Sequence, residues 1–375
     1  MMGTGLFGLP MALFQETAKW TQEQMHRQAK YMELAFRVPE QPNWITPNEV
    51  VLDLVPLKLR DFSKVHDEEN LEYQTESFSD IPFLVITPQV NHSGICDYSE
   101  GQSLVRRIAE QGFRRVYATE WKSADLKRAD ESLDDIIQAI DDCIEHIGGP
   151  VRLLGLCQGG WMSAVYASLY PNKVAGLVMA AAPIDFHAEP SGVNIMARTY
   201  PMAMYKNLVL MGGGIMRGDF ISMGFDNLRP MERYFGKYLS LWAHCDNEKF
   251  VSRYKRLADW YGTPQHIPGK AYLQIVKLLF KKNYLIKKKL KVHDRIVDMA
   301  NVNVPVYMIA GARDHITRPA QLFAAADYVS SSVKRKYTTD AGHIGVFMSQ
   351  NAIKNDWPRL LQDVHADSEA VSAAA

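Results

Sequence analysis

A short glycine-bracketed segment near the middle of the chain constrains the fold more than any other feature. Residues 153–161 read Leu-Leu-Gly-Leu-Cys-Gln-Gly-Gly-Trp, so an apolar strand leads into Gly155-x-Cys157-x-Gly159. In this pattern a strand turns sharply into a helix, glycines flank the turn because a side chain would not fit, and the nucleophile is lifted clear of the sheet. Cysteine replaces the usual serine, which predicts a thioester intermediate.

Short apolar segments alternate with helical patterns around this turn. The predicted strands are 83–87, 116–119, 151–156, 174–180 and 304–310. The predicted helices between them are 101–111, 132–147 and 161–169. Such alternation indicates a mostly parallel central sheet with helices on both faces, so the predicted fold class is α/β.

The strand rhythm stops between Pro183 and Val302, where the sequence is rich in Tyr, Met and Trp and has several helical patterns. We interpret this interval as a largely helical cap domain inserted into the α/β core. The predicted organisation is an N-terminal helical segment over 1–46, a core over 47–187 and 301–366, a cap or lid over 188–300 and a flexible, Ala-rich tail over 367–375.

Two downstream loops supply partners for the cysteine. The apolar strand at 304–310 is followed by Asp314, and His343 lies in a glycine-flanked loop. The order nucleophile, acid, histidine is that of the α/β-hydrolase triad, which refines the prediction to the α/β-hydrolase fold. Cys157, Asp314 and His343 are therefore the predicted catalytic residues. The competing interpretations are a buried structural cysteine and an aspartate that caps a turn.

Thiol chemistry assigns a role to each of these side chains. A free thiol is mostly protonated at neutral pH, so His343 must accept the proton of Cys157 or hold the thiolate in an ion pair. Asp314 would fix the imidazole tautomer.

The surroundings of the nucleophile must also stabilise the oxyanion of a tetrahedral intermediate. Two N–H donors are needed, which we predict to be the backbone of Gln158 and that of Val90 or Asn91, in the loop after the strand at 83–87. Trp161, just after the turn, is a candidate substrate-binding residue, and helix packing is the competing interpretation.

Composition and residue spacing argue against several classes of function. The 42 Lys and Arg residues balance 42 Asp and Glu, so no global charge attracts nucleic acid or an anionic membrane. The four cysteines lack C-x-x-C spacing and the histidines lack metal-ligand spacing, which predicts neither a metal site nor a disulfide framework. No stretch is long enough for a transmembrane segment and no signal peptide is recognisable, so a cytoplasmic location is predicted.

Several segments beyond the elbow are similar to those of one enzyme family. The chain resembles the catalytic subunit of polyhydroxyalkanoate synthases, most of all the short two-component kind (class III). The segments that carry the resemblance are Leu154–Gly160, Ala182–Phe186, Gly342–Phe347 and, in the cap, Leu228–Met231, Lys237–Leu241, Asn283–Lys287 and Arg295–Met299.

The resemblance implies polymerisation of 3-hydroxyacyl-coenzyme A, such as 3-hydroxybutyryl-coenzyme A, into a polyester with release of coenzyme A and no other cofactor. Cys157 would carry the acyl group, His343 would activate the thiol, and Asp314 would assist activation of the incoming 3-hydroxyl. Asn283, in one of the matching cap segments, is a candidate substrate-binding residue. The alternative is a polyester depolymerase or acyl-thioester hydrolase that uses the same Cys-His-Asp triad.

The same resemblance implies partners and a location. These are the growing polyester chain at a granule surface, a second, non-catalytic synthase subunit and further copies of the chain in a homo-oligomer.

Two segments leave alternatives open. Residues 14–36 carry apolar side chains at helical spacing, which indicates a helix packed on the main body or one that docks onto a hydrophobic particle or a partner helix. The basic run from Lys277 to Arg295 is interpreted as a solvated face, with binding of coenzyme A phosphates or of an acidic partner as the alternative.

Overall fold

An eight-stranded sheet forms the core of the computed structural model, which describes residues 8–68 and 71–374. Its strands are β1 (Glu49–Asp53), β2 (Leu57–Asp61), β3 (Phe83–Ile86), β4 (Val116–Trp121), β5 (Val151–Leu156), β6 (Val174–Ala180), β7 (Val306–Gly311) and β8 (Lys334–Thr339). They lie side by side in the order β1-β2-β4-β3-β5-β6-β7-β8. β2 pairs antiparallel with both β1 and β4, and all the other pairs are parallel. The predicted mostly parallel sheet is confirmed.

Helices connect these strands and form most of the insertion after β6. They are α1 (Gly8–Ala35), α2 (Leu104–Glu110), α3 (Leu133–Ile147), α4 (Gln158–Leu169), α5 (Gly192–Thr199), α6 (Met202–Met211), α7 (Gly218–Asp226), α8 (Lys237–His244), α9 (Glu248–Gly262), α10 (Gly269–Gln274), α11 (Pro319–Phe323), α12 (Ala325–Tyr328), α13 (Gly345–Met348) and α14 (Trp357–Ala374). Wider π-helical turns span Met231–Gly236, Ile275–Lys281 and Ala352–Asp356. Short 3-10 turns span Ser63–Asp67, Ser93–Cys96, Leu126–Arg128, Pro171–Lys173 and Met299–Asn301.

Three small antiparallel ribbons complete the secondary structure of the described residues. They pair Asp97–Ser99 with Gln102–Ser103, Ile215–Met216 with Ile267–Pro268, and Lys291–Val292 with Arg295–Ile296.

The parallel strands bring the loops that carry the predicted catalytic and oxyanion residues to one edge of the sheet. Since β3, β5 and β7 run in the same direction, the segments that follow them emerge at their shared carboxyl ends. These segments carry the loop at 87–91, Cys157 and Asp314, and the loop after β8 carries His343. α4 is packed so deeply against the sheet that every residue from Gly159 to Leu169 is buried.

The sequence analysis missed β1, β2 and β8, of which β1 and β8 form the two edges of the sheet. β8 reads Lys-Arg-Lys-Tyr-Thr-Thr, and of these side chains only Tyr337 and Thr339 are buried. A charged strand of this kind suits the edge of a sheet, where charge discourages pairing with another chain, but it lacks the continuous apolar run by which the buried strands were found.

The chain divides into two compact units, and the division differs from the predicted one. One unit comprises Asn43–Ser222 and Pro264–Ala375 and contains the whole sheet. The other joins the described part of Met1–Pro42 to Met223–Thr263. The middle of the predicted cap thus groups with the N-terminal helical segment, whereas both flanks of the cap belong to the sheet-containing unit.

Apolar packing between α1 and α8 explains the second unit. Leu34 is buried together with Leu241 and Cys245. The ring of Tyr31 meets that of Trp242 edge to face at 5.3 Å, and Arg27 donates a hydrogen bond to the carbonyl oxygen of Trp242 at 2.8 Å. The helix predicted at 14–36 therefore packs against the insertion.

The predicted flexible tail is helical in the structure. α14 continues to Ala374, and Ala375 lies outside the described residues. Asp367 accepts hydrogen bonds from Tyr307 of β7 at 2.9 Å and from two nitrogens of the Arg335 side chain of β8 at 2.6 and 2.8 Å. Alanine has the highest helix propensity, so the Ala-rich composition that indicated a tail also suits a docked helix.

None of the described helices combines the length and apolar character needed to cross a membrane.

Asp367 allows a test of how α14 is attached to the sheet. The hydrogen bond from Arg335 lowers the pKa of Asp367, and this effect, with the bond from Tyr307, outweighs burial. We expect Asp367→Asn to reduce the free energy of unfolding by about 1–3 kcal/mol at pH 7, because charge-assisted hydrogen bonds are lost. Since the unfolded pKa is about 3.9, this difference should be complete above about pH 4 and disappear as the pH falls through the lower folded-state pKa.

Urea unfolding of the wild type and Asp367→Asn from pH 7 to pH 3 measures this difference. Asp80→Asn, which removes a carboxylate that is 79% exposed, is the matched control. A difference that does not change with pH contradicts the assignment.

Candidate active site

Cys157 occupies the turn where β5 ends at Leu156 and α4 begins at Gln158. Its backbone has φ +52° and ψ −113°, which a residue with a side chain rarely adopts. Two hydrogen bonds hold the turn: the N–H of Cys157 donates to the carbonyl oxygen of Ala180 at 2.9 Å, and the N–H of Gly160 donates to that of Cys157 at 3.0 Å. The predicted strand–turn–helix is present.

The glycines of the motif are required by close contacts. A Cβ at Gly159 would lie 1.9 Å from the carbonyl oxygen of Ile86 in β3. A Cβ at Gly155 would lie 2.3 Å from the carbonyl oxygen of Gly159, and one at Gly160 would lie 2.1 Å from the Cβ of Ala182. Any side chain at these positions would push α4 away from the sheet and displace the thiol.

Cys157 differs from the other three cysteines in its surroundings. It is partly exposed and lies at the N-terminus of α4, where the helix dipole favours an anion. Cys96, Cys143 and Cys245 are buried. Burial raises the pKa of Cys96 well above its usual value and that of Cys143 to about 12. Such thiols are poor nucleophiles at neutral pH.

Asp314 and His343 form a buried pair. The Oδ2 of Asp314 lies 2.7 Å from Nδ1 of His343, and the aspartate side chain is fully buried. Its other carboxylate oxygen accepts the backbone N–H groups of Ile316 and Thr317 at 2.8 and 2.9 Å. The turn after β7 therefore fixes the carboxylate, and the carboxylate in turn fixes the orientation of the imidazole ring.

His343 also contacts the thiol. The thiol of Cys157 interacts electrostatically with the imidazole, which is hydrogen-bonded to Asp314 at 2.7 Å. Burial lowers the pKa of His343, but the interactions of the imidazole with Asp314 and Cys157 outweigh burial and raise that pKa well above its usual value. The arrangement favours the imidazolium form of His343. The three side chains selected from the sequence thus meet in space, and their catalytic role stays a prediction.

The loop after β3 is tied to the nucleophile by a contact that the sequence analysis missed. The side-chain oxygen of Gln158 accepts the backbone N–H of Gln89 at 3.0 Å. The backbone N–H groups of Gln158, Val90 and Asn91 make no hydrogen bond to any other residue that the structure describes. Asn91 has φ +62°, a conformation that asparagine tolerates. N–H groups without an internal partner are what an oxyanion requires.

A buried hydroxyl network anchors the start of this loop. Thr87 Oγ1 donates to Ser93 Oγ at 3.0 Å or to the carbonyl oxygen of Thr119 at 2.8 Å. The indole N–H of Trp121 donates to the carbonyl oxygen of Thr87 at 2.8 Å. Both β4 and the turn at Ser93 therefore hold the backbone before Gln89. This anchoring preorganises the N–H groups of the loop that follows.

The two predicted substrate-binding side chains have structural contacts. Trp161 is 1% exposed and packs in the large apolar cluster that includes Leu153 and Met179 of the sheet. Asn283 is 2% exposed, donates to Oδ1 of Asp185 at 2.7 Å and accepts the backbone N–H of Phe186 at 3.1 Å. The burial of Trp161 favours the interpretation that it serves helix packing. Both the nitrogen and the oxygen of the Asn283 amide already have hydrogen-bond partners. Substrate binding by either residue stays a prediction.

Several curated proteins are similar to this chain. The poly(3-hydroxyalkanoate) polymerase subunit PhaC of Synechocystis sp. is 30% identical over 291 residues, covering 74% of this chain and 75% of that protein. The protein of the same name from Haloferax mediterranei is 29% identical over 358 residues, covering 93% of this chain and 70% of that protein. A family model described as "Protein of unknown function (DUF3141)" matches residues 74–367.

Solved structures with a similar fold include two hydrolases. The monoacylglycerol lipase of Paleococcus ferrophilus has 20% identity and a TM-score of 0.51, and the match covers 76% of this chain and 96% of that chain. A mutant epoxide hydrolase from Bacillus megaterium has 14% identity and a TM-score of 0.52, with coverage of 83% and 99%. At such identities the likeness establishes the fold alone, and it confirms the predicted α/β-hydrolase fold.

The raised pKa of His343 has a measurable consequence. We expect its imidazole to titrate well above 6.5 in the wild type and at lower pH in Asp314→Asn, because the charge that stabilises the imidazolium is lost. Because the folded-state pKa is raised, the stability that this pairing contributes is complete below the unfolded pKa of about 6.5 and lost as the pH rises through the folded-state pKa.

Histidine side-chain NMR signals followed as a function of pH give the titration directly, with the other histidines as internal references. If His343 titrates at or below 6.5 in the wild type, stabilisation of the imidazolium by Asp314 is ruled out.

Proposed function

The chain belongs to the poly(3-hydroxyalkanoate) polymerase family, whose members are acyltransferases, and on this premise we propose that it polymerises 3-hydroxyacyl groups through Cys157. The matched relatives support the reaction class. The observation that carries the mechanism is the 2.7 Å hydrogen bond between His343 and Asp314, with Cys157 acting electrostatically on the same imidazole. The substrate is a 3-hydroxyacyl-coenzyme A thioester of short acyl length, such as 3-hydroxybutyryl-coenzyme A.

Acylation begins with proton transfer from the thiol of Cys157 to the imidazole of His343. The thiolate attacks the thioester carbonyl carbon, and the resulting oxyanion is stabilised by the N–H of Gln158 and by that of Val90 or Asn91. When the intermediate collapses, the bond to the sulfur of coenzyme A breaks, and the coenzyme A thiolate takes the proton from His343. The acyl group is then bound to Cys157 as a thioester.

Elongation uses the same base on a different proton. His343, held by Asp314, accepts the proton of a 3-hydroxyl group as that oxygen attacks the Cys157 thioester. An oxygen ester forms, the bond to the Cys157 sulfur breaks, and the imidazolium returns its proton to the thiolate. Each cycle adds one hydroxyacyl unit and consumes no cofactor beyond the thioester substrate.

Family membership also supports proposals on partners and location. We place the enzyme in the cytoplasm at the surface of polymer granules, as a homo-oligomer that works with a second, non-catalytic subunit. The growing polyester chain is then both product and substrate.

Incubation of the full-length protein with 3-hydroxybutyryl-coenzyme A tests the proposed reaction. We expect release of free coenzyme A thiol together with turbidity from insoluble polymer. Cys157→Ala and His343→Ala should each abolish both signals, because the nucleophile or its base is removed. Cys143→Ala is the matched control: it removes a thiol whose pKa is raised to about 12 by burial, and it should remain active.

The two signals distinguish the candidate reactions. Thiol release accompanied by an equal amount of free 3-hydroxybutyrate, without turbidity, identifies a thioester hydrolase instead. Thiol release that persists in Cys157→Ala contradicts the cysteine mechanism altogether.

Gln158 gives a second prediction, as a positioning residue. Gln158→Met keeps the length of the side chain but removes the oxygen that accepts the N–H of Gln89, so the loop carrying Val90 and Asn91 should lose its fixed distance from the thiol. We expect kcat to fall about tenfold with little change in KM, since the oxyanion forms only in the transition state.

Alkylation of Cys157 by iodoacetamide provides the control, because it needs the thiolate but no oxyanion. Its rate should be the same in Gln158→Met as in the wild type. Equal losses in alkylation and acyl transfer would mean that the substitution disturbs the thiol itself and would contradict a role in the oxyanion site.

A further inference from the structure

A cavity of about 580 Å³ lies in the sheet-containing unit and has no role in the chemistry described above. Its lining combines three lysines, Lys206 of α6, Lys270 of α10 and Lys277 of the following π-helical turn, with the single carboxylate of Asp130. Val209 and Leu273 are among its apolar lining residues. The volume falls in the range typical of sites for small molecules.

The lysines give the cavity a positive character that neighbouring carboxylates do not cancel. All three are exposed, and none forms a salt bridge within the described part of the chain. Lys270 interacts electrostatically with Asp135, which already accepts the backbone N–H of Ser132 at 2.7 Å. A lining with three ammonium groups and one carboxylate attracts an anion that bears more than one charge.

The apolar wall connects this cavity to the candidate active site. Val209 is buried in a cluster with Met216 and Ile267, and both Leu273 and Val90 pack against that cluster. Val90 belongs to the loop after β3 that is a candidate source of an oxyanion donor. One side of the cavity wall is therefore continuous, through apolar packing, with the loop beside Cys157.

We propose that this cavity binds the phosphate groups of the coenzyme A part of the thioester substrate, an inference that rests on the proposed function. Coenzyme A carries a pyrophosphate and a ribose phosphate at one end and an uncharged pantetheine arm that leads to the sulfur. The lysines match the phosphates, and Leu273 and Val90, which pack against the apolar cluster and are partly exposed, offer a surface for the uncharged arm.

Exposed lysines suit a ligand that must leave in every cycle. Contacts between exposed charges are weak and screened by salt, so coenzyme A would be held long enough for acyl transfer and then released. Lys277, the first residue of the basic segment, would therefore bind phosphate rather than only contribute to a solvated surface.

Binding of coenzyme A to the full-length protein at low ionic strength, measured by calorimetry, tests the assignment. Lys270→Gln combined with Lys277→Gln should raise the Kd for coenzyme A about tenfold, and Lys206→Gln alone should raise it severalfold, as expected for exposed charge pairs. Lys289→Gln is the matched control, because Lys289 is an exposed lysine of the same basic segment that does not line the cavity. It should bind coenzyme A like the wild type.

Turnover provides a second readout. With 3-hydroxybutyryl-coenzyme A, the double variant should show a raised KM and an unchanged kcat. With the N-acetylcysteamine thioester of 3-hydroxybutyrate, which has no phosphate, the double variant and the wild type should have the same kcat/KM.

The outcomes separate this inference from the proposed function. Unchanged coenzyme A binding in the double variant, or equal weakening in Lys289→Gln, overturns the cavity assignment even where polymer forms normally. Inorganic pyrophosphate that binds the protein without displacing coenzyme A overturns it as well. Weakened coenzyme A binding confined to the cavity variants supports the assignment, and if no thioester is then turned over, only the proposed reaction fails.

Discussion

The close approach of α4 to the sheet is the constraint on which the rest of the site depends. The backbone of Gly159 lies against the carbonyl of Ile86, the last residue of β3, with no room for a single extra carbon. This contact sets the distance between the nucleophile on one strand and the loop that follows the neighbouring strand. The side chain of Gln158 then spans that distance to Gln89. A small outward shift of α4 would move the thiol away from the imidazole and from the loop after β3 at once.

The carboxylate of Asp314 fixes the orientation of the imidazole ring. A fully buried carboxylate loses its hydration, and hydrogen bonds must offset that loss. Two of these bonds come from the turn that follows Asp314, and the third partner is His343. Because the local turn satisfies one carboxylate oxygen, the other is left to orient the ring. The imidazole is thus positioned by the end of β7 and the thiol by the end of β5, and sheet pairing keeps these two strand ends near each other through β6.

The sequence predicted the parts of this molecule that follow from local pattern. Buried strands such as Val151–Leu156 are continuous apolar runs, and the elbow and the Asp314 and His343 loops have local signatures. β8 was missed because charged edge strands resemble loops, and the helical end of α14 was missed because an Ala-rich segment gives no sign of the Tyr307 and Arg335 side chains that anchor it. Long-range pairings of this kind have no local signal.

The same limit applies to the site and the insertion. The Gln158–Gln89 hydrogen bond joins residues that are distant in sequence, and nothing in either segment alone indicates it. The division of the insertion between the two units also depends on tertiary packing, since Tyr31 and Leu34 of α1 pack against the middle of the insertion. By contrast, the basic run from Lys277 to Arg295 is recognisable from the sequence. Only the structure shows that Lys277 lines a cavity and that Lys289 does not.

The pairing of α1 with Met223–Thr263 has a consequence for how the protein is made. α1 precedes the sheet in the chain and leaves the ribosome before it, yet the residues that cover Tyr31 and Leu34 are translated only after six strands of the sheet. The last two strands, β7 and β8, come later still. During translation neither unit can be completed before the chain has passed residue 263. Two apolar surfaces therefore stay uncovered, and prone to aggregation, at the same time.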